Sequence, residues 1–137
     1  MRVRFDRFYT YAEVQETLDA WAAAFPSLLA VESIGTSYEG RDIPLATVTN
    51  LETGPPEEKP AIFVHAQIHA MEFTGTTAAL TLVDRLLHEH GDDPRVTHAL
   101  DTRTFYVVPR VNPDGAEAGL DCGRERRLDL ERALIRL

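Results

Sequence analysis

The stretch Pro60-Ala-Ile-Phe-Val-His-Ala-Gln-Ile-His-Ala-Met-Glu-Phe-Thr-Gly75 constrains this chain more than any other. It opens as an apolar run in which the β-branched Ile62 and Val64 flank Phe63, a pattern suited to a strand. A short turn carrying two histidines comes next. From Glu72 the pattern becomes helical, with Phe73, Leu80, Val83 and Leu87 at helical spacing. A strand that feeds a helix through a short polar turn is where α/β proteins tend to place ligands. His69 and Glu72 sit at that turn, three residues apart. On a helical turn such residues share a face, so an imidazole and a carboxylate can converge on one cation. The spacing alone fits equally well a surface glutamate opening a helix, favoured by the helix dipole, beside an ordinary histidine.

The remaining segments read as a single α/β domain. Thr10-Tyr-Ala-Glu13 has the form of a capping box, and Val14, Leu18, Trp21, Ala22 and Phe25 continue at helical spacing up to Pro26. Residues 28–34 and 43–48 read as two strands of an antiparallel hairpin around Ser37-Tyr-Glu-Gly-Arg-Asp42, with Gly40 suited to a positive φ. Thr53 to Pro60 is rich in turn formers and reads as a surface loop. After the central strand and helix, Gly91 is a natural helix end, and Asp93-Pro94 predicts a second, short helix with Asp as its cap. Thr104-Phe-Tyr-Val-Val108 is near-continuously apolar and fits a buried strand. It ends in Asn112-Pro-Asp-Gly115, a type I or II turn by composition. The order helix, hairpin, strand, helix, helix, strand implies an α/β layout with a mixed sheet.

Composition closes several alternatives. A net charge of −8 argues against nucleic acid and anionic membrane partners, since either would call for a basic stripe. No segment has the length and apolarity needed to span a bilayer. The start, Met-Arg-Val-Arg-Phe-Asp, lacks the apolar core of a signal peptide, so a cytoplasmic location is the expectation. Cys122 is the single cysteine, which excludes an internal disulfide and a cysteine-based zinc finger.

Four stretches, in order, resemble the zinc carboxypeptidases of the carboxypeptidase A type. The opening Tyr-Thr-Tyr-Ala-Glu helix with Phe25-Pro26 is similar to the family's first helix. Ile34-Gly-Thr-Ser-Tyr-Glu-Gly-Arg41 is similar to its Gly-x-Ser-x-Glu-Gly-Arg hairpin. Ile68-His-Ala-Met-Glu72 resembles its Ile-His-Ala-Arg-Glu zinc motif. Val108-Pro-Arg-Val-Asn-Pro-Asp-Gly115 resembles its Pro-x-x-Asn-Pro-Asp-Gly turn. The likeness covers residues 4 to 120. It implies a mixed-sheet, phosphorylase/hydrolase-like α/β fold, with residues 1–120 as the N-terminal half of a catalytic domain and 121–137 as a divergent helical tail.

The resemblance further implies that His69 and Glu72 are two of three ligands to a catalytic Zn²⁺. Their nitrogen and oxygen donors suit that ion. It assigns hydrolysis of a C-terminal peptide bond, with a peptide or small amide as substrate. The family's third ligand, general base and carboxylate-binding residues have no identifiable counterpart here, so the domain reads as shortened. Its uncovered sheet edges then invite self-association. Arg127, fifteen residues after Asn112 in an Arg-x-x-Arg context, matches the family's oxyanion arginine; the alternative is a solvated basic helix face. His65 lies four residues before His69 but in strand and turn rather than helix, which makes it a strand or supporting histidine. His88, His90 and His98 read as solvated. Met71 replaces an arginine common in the family, and Ala116 an aromatic residue. Two other readings stand beside the peptidase: a non-catalytic remnant of the family, and a deacylase-type amidohydrolase of a related branch.

Overall fold

A computed structural model of the protein describes residues 2–134, and the side chains of residues 2–123. The chain runs α1 (Tyr11–Ala24), β1 (Leu29–Thr36), β2 (Asp42–Val48), β3 (Ala61–His65), α2 (Phe73–Glu89), α3 (Pro94–Thr102), β4 (Thr104–Val108) and α4 (Pro113–Leu134). The four strands form one mixed sheet in the order β1-β2-β4-β3. β1 and β2 are the antiparallel hairpin, β2 pairs antiparallel with β4, and β4 pairs parallel with β3.

Local chemistry sets most of these boundaries. Thr10 and Glu13 make both bonds of a capping box: the Glu13 N–H donates to Thr10 Oγ1 at 3.3 Å, and the Thr10 N–H donates to Glu13 Oε2 at 2.8 Å. Asp93 caps α3 by accepting from the Arg95 N–H at 2.8 Å, with Pro94 behind it at the first helical position. Gly40 and Gly91 both have φ above +80°, which closes the hairpin and ends the run after α2.

One face of the sheet builds the core. Registers that align Leu29 with Val48 and Phe105, and Ala46 with Val107, place these side chains together. They pack with Leu18 and Trp21 of α1, Leu80, Val83 and Leu87 of α2, and Leu100 of α3. Trp21, Leu18, Leu80 and Leu100 are completely buried, and each such side chain stabilises the fold by roughly 1.5–3 kcal/mol.

Two expectations change. Among the described residues the apolar run 61–65 is the outermost strand and not a central one: β4 lies between β2 and β3, and Ile62 is 42% and Phe63 63% exposed. The Asn-Pro-Asp-Gly segment is not a free-standing turn. Asn112 Oδ1 accepts from the Gly115 N–H at 2.9 Å, so Asn112 caps α4 and Pro113 is its first residue. α4 then continues past residue 120 without a break. Among the described residues no helix is long and apolar enough to cross a membrane.

Candidate metal centre

The parallel pairing of β3 and β4 extends beyond the strand ends and shapes the histidine-bearing turn. The Ala66 N–H donates to the Val108 carbonyl at 3.0 Å, and the Val111 N–H donates to the Ala66 carbonyl at 2.9 Å. The Asn112 N–H donates to the Gln67 carbonyl at 3.1 Å. The chain then folds back: the Glu72 N–H donates to the His69 carbonyl at 3.1 Å, and the Gly75 N–H to the Glu72 carbonyl at 3.0 Å. His69 and Glu72 thus close one hydrogen-bonded turn. Glu72 is the residue preceding α2, with φ −87° and ψ 54°, and its carboxylate makes no capping hydrogen bond.

His65, His69 and Glu72 are all exposed. His65 and Glu72 line a cleft of about 400 Å³ along the outer side of β3, walled by Val64, Ile68, Ala78 and Leu82. The His69–Glu72 pair offers the nitrogen and oxygen donors that suit zinc. A catalytic zinc uses three protein ligands, and among the described residues no group of three or more His, Cys, Asp or Glu is placed to hold a metal ion. His65 therefore does not complete a trio with His69 and Glu72. Arg127 falls on α4, but its side chain lies outside the described residues.

Beneath the turn lies a buried polar junction. Gln67 is the single non-glycine residue with positive φ (50°) among the described residues, and it is 2% exposed. Its Oε1 accepts from Arg110 Nε at 2.8 Å, and its Nε2 donates to the Ala70 carbonyl at 3.0 Å. The Thr76 hydroxyl, on the first turn of α2, lies 2.5 Å from Gln67 Oε1 and 2.8 Å from the Pro109 carbonyl. Arg110 is also 2% exposed and divides its other nitrogens between the Tyr9 carbonyl at 2.5 Å and Glu117 at 3.2 Å. Burial lowers its pKa, and the Glu117 carboxylate opposes that effect. Glu117 in turn accepts from the Tyr11 N–H at 2.7 Å, at the start of α1.

A second junction joins the two outer motifs. Asp114 accepts from Ser37 Oγ at 2.7 Å, from the Glu39 N–H at 3.0 Å and from Arg41 Nη1 at 2.7 Å, pinning the hairpin turn to the start of α4. Burial opposes ionisation of Asp114, but these hydrogen bonds outweigh it and hold its carboxyl below the ordinary range. α4 also presses on the metal turn itself. A Cβ added at Gly115 would lie 2.8 Å from Ala70 Cβ, and one at Gly119 would lie 2.8 Å from Met71 Sδ and 2.9 Å from Phe73 Cζ. Met71, 67% exposed, thus rests against α4.

Gln67, Arg110 and Glu117 escape sequence reasoning. The one signal they leave is an arginine set between Pro109 and Val111, directly after an apolar strand. His88 and His90 are less solvated than expected: His88 Nδ1 lies 2.9 Å from the Asp84 carbonyl, with its ring against Phe25, and His90 Nε2 lies 3.5 Å from Asp101 Oδ1.

Comparison with known proteins adds independent information. The sequence model described as zinc carboxypeptidase matches residues 14–132. Rat carboxypeptidase A2 is 32% identical over 111 residues, which cover 81% of this chain and 25% of that protein. The inactive metallocarboxypeptidase ECM14 of Saccharomyces cerevisiae is 34% identical over 98 residues, covering 72% of this chain and 23% of that protein. The chain therefore spans about a quarter of the length of these curated relatives. In fold it is similar to the crystal structure of thrombin activatable fibrinolysis inhibitor, with a TM-score of 0.75 at 23% identity over 83% of this chain and 28% of that one. The family pattern extends over nearly the whole chain and coincides with a fold that carries His-x-x-Glu off the end of a parallel strand, and on those grounds the chain belongs to the zinc carboxypeptidase family.

Proposed function

We propose that this chain carries the metal-ligand turn of a metallocarboxypeptidase, with His69 and Glu72 as two zinc ligands and a C-terminal peptide bond as the bond hydrolysed. The observation that carries the reading is the His69–Glu72 turn, closed by its own hydrogen bond at the C-terminal end of β3 in a chain of this family. Bound there, zinc would supply Lewis acidity toward a substrate carbonyl and an activated water. The chain's own part is to present a neutral imidazole and a carboxylate from one rigid turn. Both donors must be deprotonated to bind, so acid weakens the site. The cleft beside β3 supplies an apolar wall for a peptide or small amide. Arg127 is assigned to the developing oxyanion.

A second reading is a metallocarboxypeptidase-like protein without catalysis. That relatives named inactive occur at similar identity supports it. The test is zinc stoichiometry and affinity of the parent beside a His69→Ala, Glu72→Ala double variant. Loss of binding in the variant is expected, and equal binding refutes the ligand assignment. Assays on a peptide and on an N-acyl amino acid then separate the readings. Peptide cleavage supports the peptidase, cleavage of the acyl substrate alone a deacylase, and zinc binding with neither activity the non-catalytic reading.

A further inference from the structure

We infer that Gln67, braced by Arg110, is the positioning residue that holds the His69–Glu72 turn in its metal-binding shape. The inference rests on the proposed ligand turn only for its consequence, metal affinity; the clamp itself is a matter of hydrogen bonds already described. The guanidinium of Arg110 can only donate, which fixes Gln67 Oε1 toward Arg110 and leaves Nε2 for the Ala70 carbonyl. That last bond spans residues 67 to 70 and so sets the backbone on either side of His69. The backbone carbonyl of Gln67 is held as well, by the Asn112 N–H at 3.1 Å. On the opposite side, a Cβ at Gly75 would come within 3.3 Å of the Gln67 nitrogen, so the first turn of α2 closes over the same residue.

The positive φ supports this assignment. A side chain other than glycine is disfavoured in the left-handed region, and such a residue persists where its surroundings over-determine it. Here the side chain that would be unwelcome for the backbone makes contacts glycine could not make. Both side-chain polar atoms of Gln67 and its carbonyl tie the turn to β4's exit loop, to α2 or to itself. Arg110 extends the brace to the Tyr9 carbonyl and to Glu117 on α4. The turn is thereby fixed from several elements at once, although His69 and Glu72 are themselves exposed.

The discriminating variant is Gln67→Glu. A carboxylate keeps acceptors for Arg110 and Thr76 but cannot donate to the Ala70 carbonyl, so it opens the turn while leaving the junction below it paired. Gln67→Ala, which removes both functions, is the second variant. Two readouts are compared: amide hydrogen exchange of Glu72 in the metal-free protein, and zinc affinity by competition with a chromogenic chelator. In Gln67→Glu, Glu72 exchange is expected to quicken at least tenfold, exchange at the β4 amides to stay as in the parent, and zinc affinity to fall about tenfold. Unchanged Glu72 exchange overturns the inference, and so does unchanged zinc affinity beside a parent that binds zinc. A parent that binds no zinc refutes the ligand reading instead, while the exchange of Glu72 still decides whether Gln67 holds the turn.

Discussion

Replacing Gly115 by alanine tests how closely α4 is fitted over the metal turn. The new methyl carbon would stand 2.8 Å from Ala70 Cβ and 2.8 Å from Asn112 Nδ2, both shorter than real contacts allow, and 3.0 Å from Asn112 Oδ1, which is tight. None of these is the far end of a flexible side chain. Ala70 is fixed by its neighbours in the His69 turn, and the Asn112 amide is committed to capping α4 and to the Ile68 carbonyl. Overpacking of this kind costs about 1–3 kcal/mol. Against it stands the helical preference of alanine over glycine, about 1 kcal/mol. The net loss is about 0–2 kcal/mol. With an unfolding entropy of roughly 2.1 cal/mol/K per residue, that lowers Tm by up to about 7 °C for this chain. Gly123, on the same helix, is the control: among the described residues nothing lies within 4 Å of its added Cβ, so Gly123→Ala retains the helical gain and raises Tm by up to about 3 °C. Thermal unfolding of both variants by far-UV circular dichroism reads the difference. If Gly115→Ala matches or exceeds the stability of Gly123→Ala, the close approach of α4 to the turn is wrong.

Other outcomes rest on the same contacts. Arg110→Ala removes a buried guanidinium and its bonds to Glu117, Gln67 and the Tyr9 carbonyl, and should cost about 3 kcal/mol in denaturant unfolding, the low end for breaking a buried ion pair because Glu117 is partly exposed and keeps the Tyr11 N–H. Asp93 has its carboxyl held at about 2 by the Arg95 side chain and backbone, below its ordinary 3.8. Its stabilisation is thus complete above the ordinary value and fades as pH falls toward 2. Asp93→Asn should flatten the pH dependence of Tm in that window, and an unchanged slope would discount the α3 cap. Phe63→Lys places a charge on the exposed edge strand β3; sedimentation velocity should show less self-association than in the parent at equal concentration, and no change would clear this edge as the contact.

Features set by neighbours in sequence were legible: the Thr10–Glu13 capping box, the hairpin around Gly40, the Asp93-Pro94 helix start and the buried strand 104–108. The position of β3 was not, because an apolar run reads the same at the centre and the edge of a sheet. Its place depends on where β4 inserts, and β4 comes only after the crossover through α2 and α3. Asn112-Pro-Asp-Gly115 was ambiguous for a different reason. The first turn of a helix and a type I turn favour the same residues, Asn before and Pro at the next position, and only the residues beyond Gly115 distinguish the two. At the candidate site, His69 and Glu72 were visible as spacing. Gln67 and Arg110 were not, since nothing in composition marks a glutamine for a left-handed backbone or an arginine for burial.

β4, the last strand among the described residues, is also the inner neighbour of β3, and that bears on the nascent chain. The β1–β2 hairpin can pair as soon as it is made, but among the described strands β3 pairs with β4 alone and waits for it. The bonds that shape the ligand turn, from Ala66 to Val108 and Val111 and from Gln67 to Asn112, wait on the same residues. During synthesis, Ile62, Phe63 and Val64 therefore lack their β4 partners, Phe105 to Val107, until that strand has emerged, and the turn bond at Gln67 waits for Asn112. Such a delay lengthens the exposure of an apolar segment to chaperones and to other chains. Ribosome-bound chains halted before and after β4 should differ most in this stretch, and the metal turn should become ordered in the same step as the sheet.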